Sequence, residues 1–163
     1  MHHIEQSTCI RFVKRTNEKD YVRIAEKEGC YSMVGRIGGE QPLSLGRGCL
    51  FRGTVMHELL HVLGFYHEQN RPDRDEYIDI FPENVKNGFL PQFDKLPAYY
   101  VRRLTQFSYK SIMLYGSGAF SRAANLSTML KKDGGRLEAT HDKDTLSPLD
   151  VVRIDMLYPK SCA

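Results

Sequence analysis

No apolar run in the chain approaches the roughly 18 to 20 residues that a membrane-spanning helix needs, so no span is expected. Nor is there a long block of one charge sign. The net charge is +3, and basic pairs such as Arg102-Arg103 and Lys131-Lys132 are short, which makes nucleic acid a poor partner. The start Met1-His2-His3 leads into Ile4-Glu5-Gln6 rather than an apolar core, so no secretory signal is visible. Repeats, linkers and low-complexity runs are absent too, and residues 1–163 are expected to form one domain with a real core. None of the cysteines is spaced C-x-x-C, which excludes a zinc ribbon or dithiol redox motif. The four, Cys9, Cys30, Cys49 and Cys162, permit three pairings, and their spacing is compatible with two disulfides or with four buried thiols. Asn125-Leu126-Ser127 is an N-glycosylation sequon and leans toward the oxidising alternative.

What is present begins with two stretches, Cys9 to Lys14 and Tyr21 to Glu26, whose alternation of apolar and polar residues predicts short strands. Gly35 to Gly53 is glycine-dense and broken by Pro42, which predicts a loop with at most short strand pieces. Thr54 is placed to cap a helix over residues 55–63, and Gly64 to end it. That helix is apolar nearly all round except for His57, Glu58 and His61, so it must be buried with those three brought together in a cleft. Pro82 to Phe93 reads as a second, weakened helix. Ser147-Pro148-Leu149-Asp150 is a strong start signal for a third, with Val151, Ile154, Leu157 and Tyr158 on its apolar face and Pro159 at its end.

The chemistry lies in His57, Glu58, His61, Gly64 and His67. Histidines one helical turn apart project from one face and can share a metal at about 2.0 to 2.1 Å. A glycine at positive φ then turns the chain so that His67 supplies a third nitrogen from outside the helix. Three protein ligands leave a fourth position for water, as catalytic zinc requires and structural zinc does not. Glu58, next to the first ligand, is placed to act as base on that water rather than as a ligand. With six histidines in the chain, the five fixed letters H-E-x-x-H-x-x-G-x-x-H arise by accident in on the order of one such sequence in 10⁴ to 10⁵. Buried histidines with unrelated partners are therefore a poor alternative.

The run from His57 to Asp75, H-E-L-L-H-V-L-G-F-Y-H-E-Q-N-R-P-D-R-D, resembles the signature of the astacin family within the metzincin metalloproteases. Glu68 and the cluster Arg71, Asp73, Arg74 and Asp75 make the likeness specific. It extends to Cys9-Ile10-Arg11-Phe12, to Ser111-Ile112-Met113-Leu114-Tyr115 and to Leu146-Ser147-Pro148-Leu149-Asp150 with Cys162. The resemblance implies an α+β fold of two lobes, with a mixed sheet and the zinc helix above and an irregular lobe with a closing helix below. It implies a Zn²⁺-dependent endopeptidase acting on protein or peptide substrates, with His57, His61 and His67 as metal ligands and Glu58 as base. Met113 would lie in the turn beneath the zinc, and Tyr115 would ligate the resting metal and swing to stabilise the oxyanion. Also implied are the pairings Cys30 with Cys49 and Cys9 with Cys162, secretion, and a precursor with signal and propeptide.

Two departures bear on these expectations. Leu114 stands where the family has histidine, between the turn methionine and the tyrosine. The family's catalytic domain also extends further upstream by a first strand and most of a first helix, of which residues 1–8 resemble the tail. Glu68, which in mature family members meets a buried N-terminal ammonium, is then expected to lack a partner and the chain to be weakly stable and poorly active. A non-catalytic zinc-binding module and a disulfide-held structural or lectin-like domain are the alternatives. Arg122, Lys131, Lys132, Arg136 and Lys143 hint at acidic substrate side chains, though a solvated charged face explains them equally.

Overall fold

The structure is a computed structural model and describes residues 1–102 and 104–159. It opens with α1, His2–Ser7, which anchors itself by the fully buried Ile4 and closes where Thr8 Oγ1 donates to the Ile4 carbonyl. The strand expected over Cys9 to Lys14 does not form. Its donors serve α1 instead: Phe12 N–H donates to the Glu5 carboxylate, and Arg11 reaches back to the carbonyls of Glu5 and Thr8.

Three strands follow: β1, Tyr21–Ala25; β2, Cys30–Ser32; and β3, Glu40–Leu45. They form one mixed sheet in the order β1-β3-β2, with β1 parallel and β2 antiparallel to the central strand. The stretch Gly35 to Gly53, expected as loop with at most short strand pieces, thus supplies the six-residue middle strand. Pro42 is tolerated there because it lies one residue beyond the last β2 partner, Leu43, so only β1 flanks it. A disulfide joins Cys30 to Cys49 and ties the start of β2 to the segment entering the next helix. The pairing of Cys9 with Cys162 involves a residue outside the described ones.

α2, Arg52–Val62, carries the H-E-x-x-H letters. It begins ahead of Thr54, with Phe51 as N-cap and no side-chain cap. The early start brings Gly53 into the first turn, where any Cβ would overlap the carbonyls of Thr140 and Lys143, so glycine permits the close approach. Gly64, at φ +97°, turns the chain off the helix as expected.

Beyond α2 the chain is irregular. Arg74–Glu76, Pro82–Asn84 and Leu90–Phe93 are single 3-10 turns. The helix expected over Pro82 to Phe93 is broken by Gly88 at φ +85° and by Pro91, which cannot donate to a helix ladder. Two short antiparallel strands that alternation did not reveal, β4 (Ile78–Ile80) and β5 (Met129–Lys131), brace this lobe. α3, Pro148–Leu157, closes the chain with the expected Ser147 cap and a full capping box to Asp150.

Each lobe has its own core. The upper one gathers Leu43, Met56, Leu59, Leu60, Met113 and Ile154 among others, and the lower one Ile78, Phe93, Phe107, Leu114 and Met129 among others. Met113 and Leu114, neighbours in sequence, belong to different cores, so the turn that carries them is the seam between the lobes. The replacement of the family's histidine by Leu114 is absorbed by the lower core, where that side chain is fully buried.

Candidate metal centre

α2 sets His57 and His61 on one face, and the turn at Gly64 returns His67 to them. The three offer ligand nitrogens within 4.8 Å of one another and form the one such cluster among the described residues. His67 Nε2 faces His61 Nε2 at 3.0 Å and His57 Nε2 at 3.1 Å. Two imidazoles on a tetrahedral zinc hold their nitrogens roughly 3.3 Å apart, so the spacing suits that ion.

The outer ring nitrogens decide which form each imidazole takes. His57 Nδ1 donates to the Ile112 carbonyl at 2.8 Å, and His61 Nδ1 to the Phe65 carbonyl at 2.7 Å. Burial pulls the His57 imidazole down to about 3, helped by the neighbouring His61. His61 is lowered by burial, and His67 is held well below its usual value by burial and then by His57 and His61. Neutral rings with Nδ1 protonated turn the Nε2 lone pairs of His57 and His61 toward a common point, where they repel unless a cation takes them. A divalent metal that accepts nitrogen fits this donor set.

Glu58 is 5% exposed, and its Oε2 has no hydrogen-bond partner among the described residues. Burial pushes its carboxyl up to about 7. Tyr115 packs against the cluster, its ring centroid 4.3 Å from that of His67 and 5.8 Å from that of His57. Burial, and then the charge of Glu58, raises its phenol. Its backbone N–H donates to Gln69 Oε1 at 3.3 Å, which ties the tyrosine to the turn after His67.

Beneath the histidines lies a buried ionic network. Glu68 does not lack a partner: its Oε1 accepts from Arg153 at 2.7 Å, from Arg71 at 3.2 Å and from Ser108 N–H at 2.8 Å. Burial raises its carboxyl, and the two guanidiniums and the amide oppose that rise. Arg71 also grips Asp73 through Nε and Nη2 at 2.9 and 2.8 Å. On α3, Asp150 accepts from Ser111 Oγ at 2.6 Å and from Ile112 N–H at 2.9 Å. Ile112 thus receives Asp150 on its amide and His57 on its carbonyl, so α3 reaches the histidine cluster through one residue.

The contacts of Asp150 and Arg153 beneath the histidines have one signal in the sequence, their spacing of three residues on a helix, which places them on one face. Lys143, grouped above with surface cations, is instead buried. Of the others, Lys132 pairs with Asp79 and Arg136 donates to Ser127 Oγ at 3.1 Å.

Fold and cluster together define an α+β protein with three histidines placed to hold a zinc ion. The family model described as Astacin, a peptidase family, matches residues 1–159, and the chain belongs to that family. It is 48% identical over 158 residues to astacin-like metalloprotease toxin 1 of Loxosceles intermedia, covering 94% of this chain and 60% of that protein. It is 46% identical over 154 residues to zinc metalloproteinase nas-6 of Caenorhabditis elegans, covering 94% of this chain and 44% of that one. Among solved structures, high choriolytic enzyme 1, a hatching enzyme zinc-protease from Oryzias latipes, superposes with a TM-score of 0.90 at 41% identity. That match covers 98% of this chain and 78% of that one.

Proposed function

We propose that residues 1–163 act as one peptidase domain, a zinc-dependent endopeptidase that hydrolyses internal bonds of protein or peptide substrates. The observation that carries this reading is the convergence of three imidazoles, with the neighbouring Glu58 presenting a buried carboxylate oxygen that no protein group satisfies among the described residues. His57, His61 and His67 are the metal ligands. Bound there, zinc supplies a Lewis acid for the scissile carbonyl and lowers the pKa of water to near 7. Glu58 accepts the proton of the attacking water and delivers it to the leaving amine. Tyr115 donates its phenol hydrogen to the oxygen on which negative charge grows. β2 has β3 as its one neighbour among the described strands, and the chain leaving it donates Gly35 N–H to the His61 carbonyl at 2.8 Å. Its open edge is therefore suited to receive an extended substrate as a further strand. The Cys30–Cys49 bridge supports secretion into an oxidising compartment.

A peptide blocked at both ends by acetyl and amide groups tests the reading, since it offers nothing to an exopeptidase. Mass spectrometry is expected to find two fragments whose masses sum to the peptide plus one water. A peptide left intact by zinc-loaded protein would reduce the chain to a binding module. Tyr115→Phe should lower kcat about 10²-fold, the lower end for one oxyanion donor because Tyr115 shares that charge with the metal, and move KM little. A KM effect larger than the kcat effect would make Tyr115 a binding residue instead.

A further inference from the structure

Burying a lysine is costly unless its ammonium finds acceptors. Lys143, 4% exposed, donates through Nζ to the carbonyls of Ser111 at 2.8 Å and Leu114 at 2.6 Å. These acceptors are the two ends of the turn that carries Ile112 and Met113. Asp150 holds the same turn by the Ser111 hydroxyl and the Ile112 amide, and Glu68 N–H donates to the Met113 carbonyl at 2.9 Å. Thr140 Oγ1 makes a longer bond of 3.5 Å to the Leu114 carbonyl, so among the described residues Lys143 supplies the one donor that spans both ends. Both held ends lead to the metal cluster. The Ile112 carbonyl accepts His57 Nδ1, and the Leu114 carbonyl belongs to the peptide unit whose nitrogen is that of Tyr115. Lys143 is fixed in its turn, because the segment Thr140 to Lys143 is seated against the first turn of α2 at Gly53.

We propose that Lys143 is a positioning residue of the metal site, clamping the Ser111–Leu114 turn so that the Ile112 carbonyl orients His57 and the Leu114–Tyr115 peptide unit orients Tyr115. The proposal rests on the three histidines being zinc ligands. Hydrogen bonds to the outer nitrogen of a ligating histidine fix its tautomer and ring orientation, and their loss typically weakens metal binding about 10- to 100-fold. The clamp does not depend on charge. Burial pulls the Lys143 ammonium down to about 8, but the neutral amine still offers two N–H donors for two carbonyls.

Lys143→Met keeps the apolar stem and removes both donors. Zinc affinity measured by competition with a chromophoric chelator, on protein shown to be folded by circular dichroism, is expected to fall about 10- to 100-fold. At saturating zinc, kcat on the blocked peptide should fall about tenfold with KM held within about twofold. Val85→Ala, a truncation in the lower core that removes none of these bonds, controls for stability: it should lower Tm and leave zinc affinity unchanged. If Lys143→Met does not fold, Lys143→Gln, whose shorter amide cannot span both carbonyls, should weaken zinc binding at least about threefold. Wild-type affinity in the Lys143 variant, or an equal loss in Val85→Ala at matched Tm, overturns the proposal. A wild-type protein that binds no zinc would overturn the metal site itself, which is a different result.

Discussion

Glu58→Gln is expected to lower kcat on a blocked peptide about 10²- to 10⁴-fold while leaving zinc content and KM nearly unchanged. The amide has the size and much of the hydrogen-bonding capacity of the carboxylate but cannot hold a proton taken from water. The side chain sits in α2 beside His57, is 5% exposed, and has one oxygen with no partner among the described residues. In the metal-free protein burial pushes its carboxyl up to about 7, and a bound cation next to it would favour the ionised form that a base needs. Removing a buried, partly unsatisfied carboxylate also removes a desolvation cost, so metal-free Glu58→Gln should melt no lower than the metal-free parent. A variant that loses its zinc would mark Glu58 as a ligand. One that cleaves at the parent rate would place the base elsewhere.

The three-histidine cluster is legible in the sequence because a helix presets it. His57 and His61 are related by one helical turn, and Gly64 supplies the positive φ that brings His67 back. The α3 cap is legible for the same reason, Ser147 and Asp150 being local partners. What escapes depends on contacts across the chain. β3 contains Pro42 and lies in a glycine-rich stretch, and it is a strand because β1 and β2 both pair with it. The Cys9 to Lys14 stretch alternates like a strand, but no described strand pairs with it and its donors turn to α1. The expectation of an unpaired Glu68 fails because Arg153, on a helix far along the chain, carries no local mark of the carboxylate it meets, and Arg71, three residues on, is a local partner that the expectation passed over. Lys143 carries no local mark of burial. Only the folded turn of Ser111 to Leu114 shows two carbonyls waiting for its amine.

The largest effect is expected from removing the metal. Dialysis against a strong chelator should abolish cleavage of the blocked peptide, because Glu58 and Tyr115 alone supply only proton transfer and one hydrogen bond to the developing charge. The stripped protein should also be less stable, since the inward-facing lone pairs at His57 and His61 then repel without compensation. Ligand binding to the folded state alone contributes about 4 kcal/mol when zinc stands at a thousand times its dissociation constant, so Tm should rise clearly on reloading. The measurement that bears most directly on the whole account is titration of Zn²⁺ into the stripped protein with cleavage rate and Tm followed together. Both are expected to rise and reach a plateau at one zinc per chain, and to lose that response in His61→Ala. Cleavage that persists in the stripped protein, or a rise that shows no break at one equivalent, would contradict it.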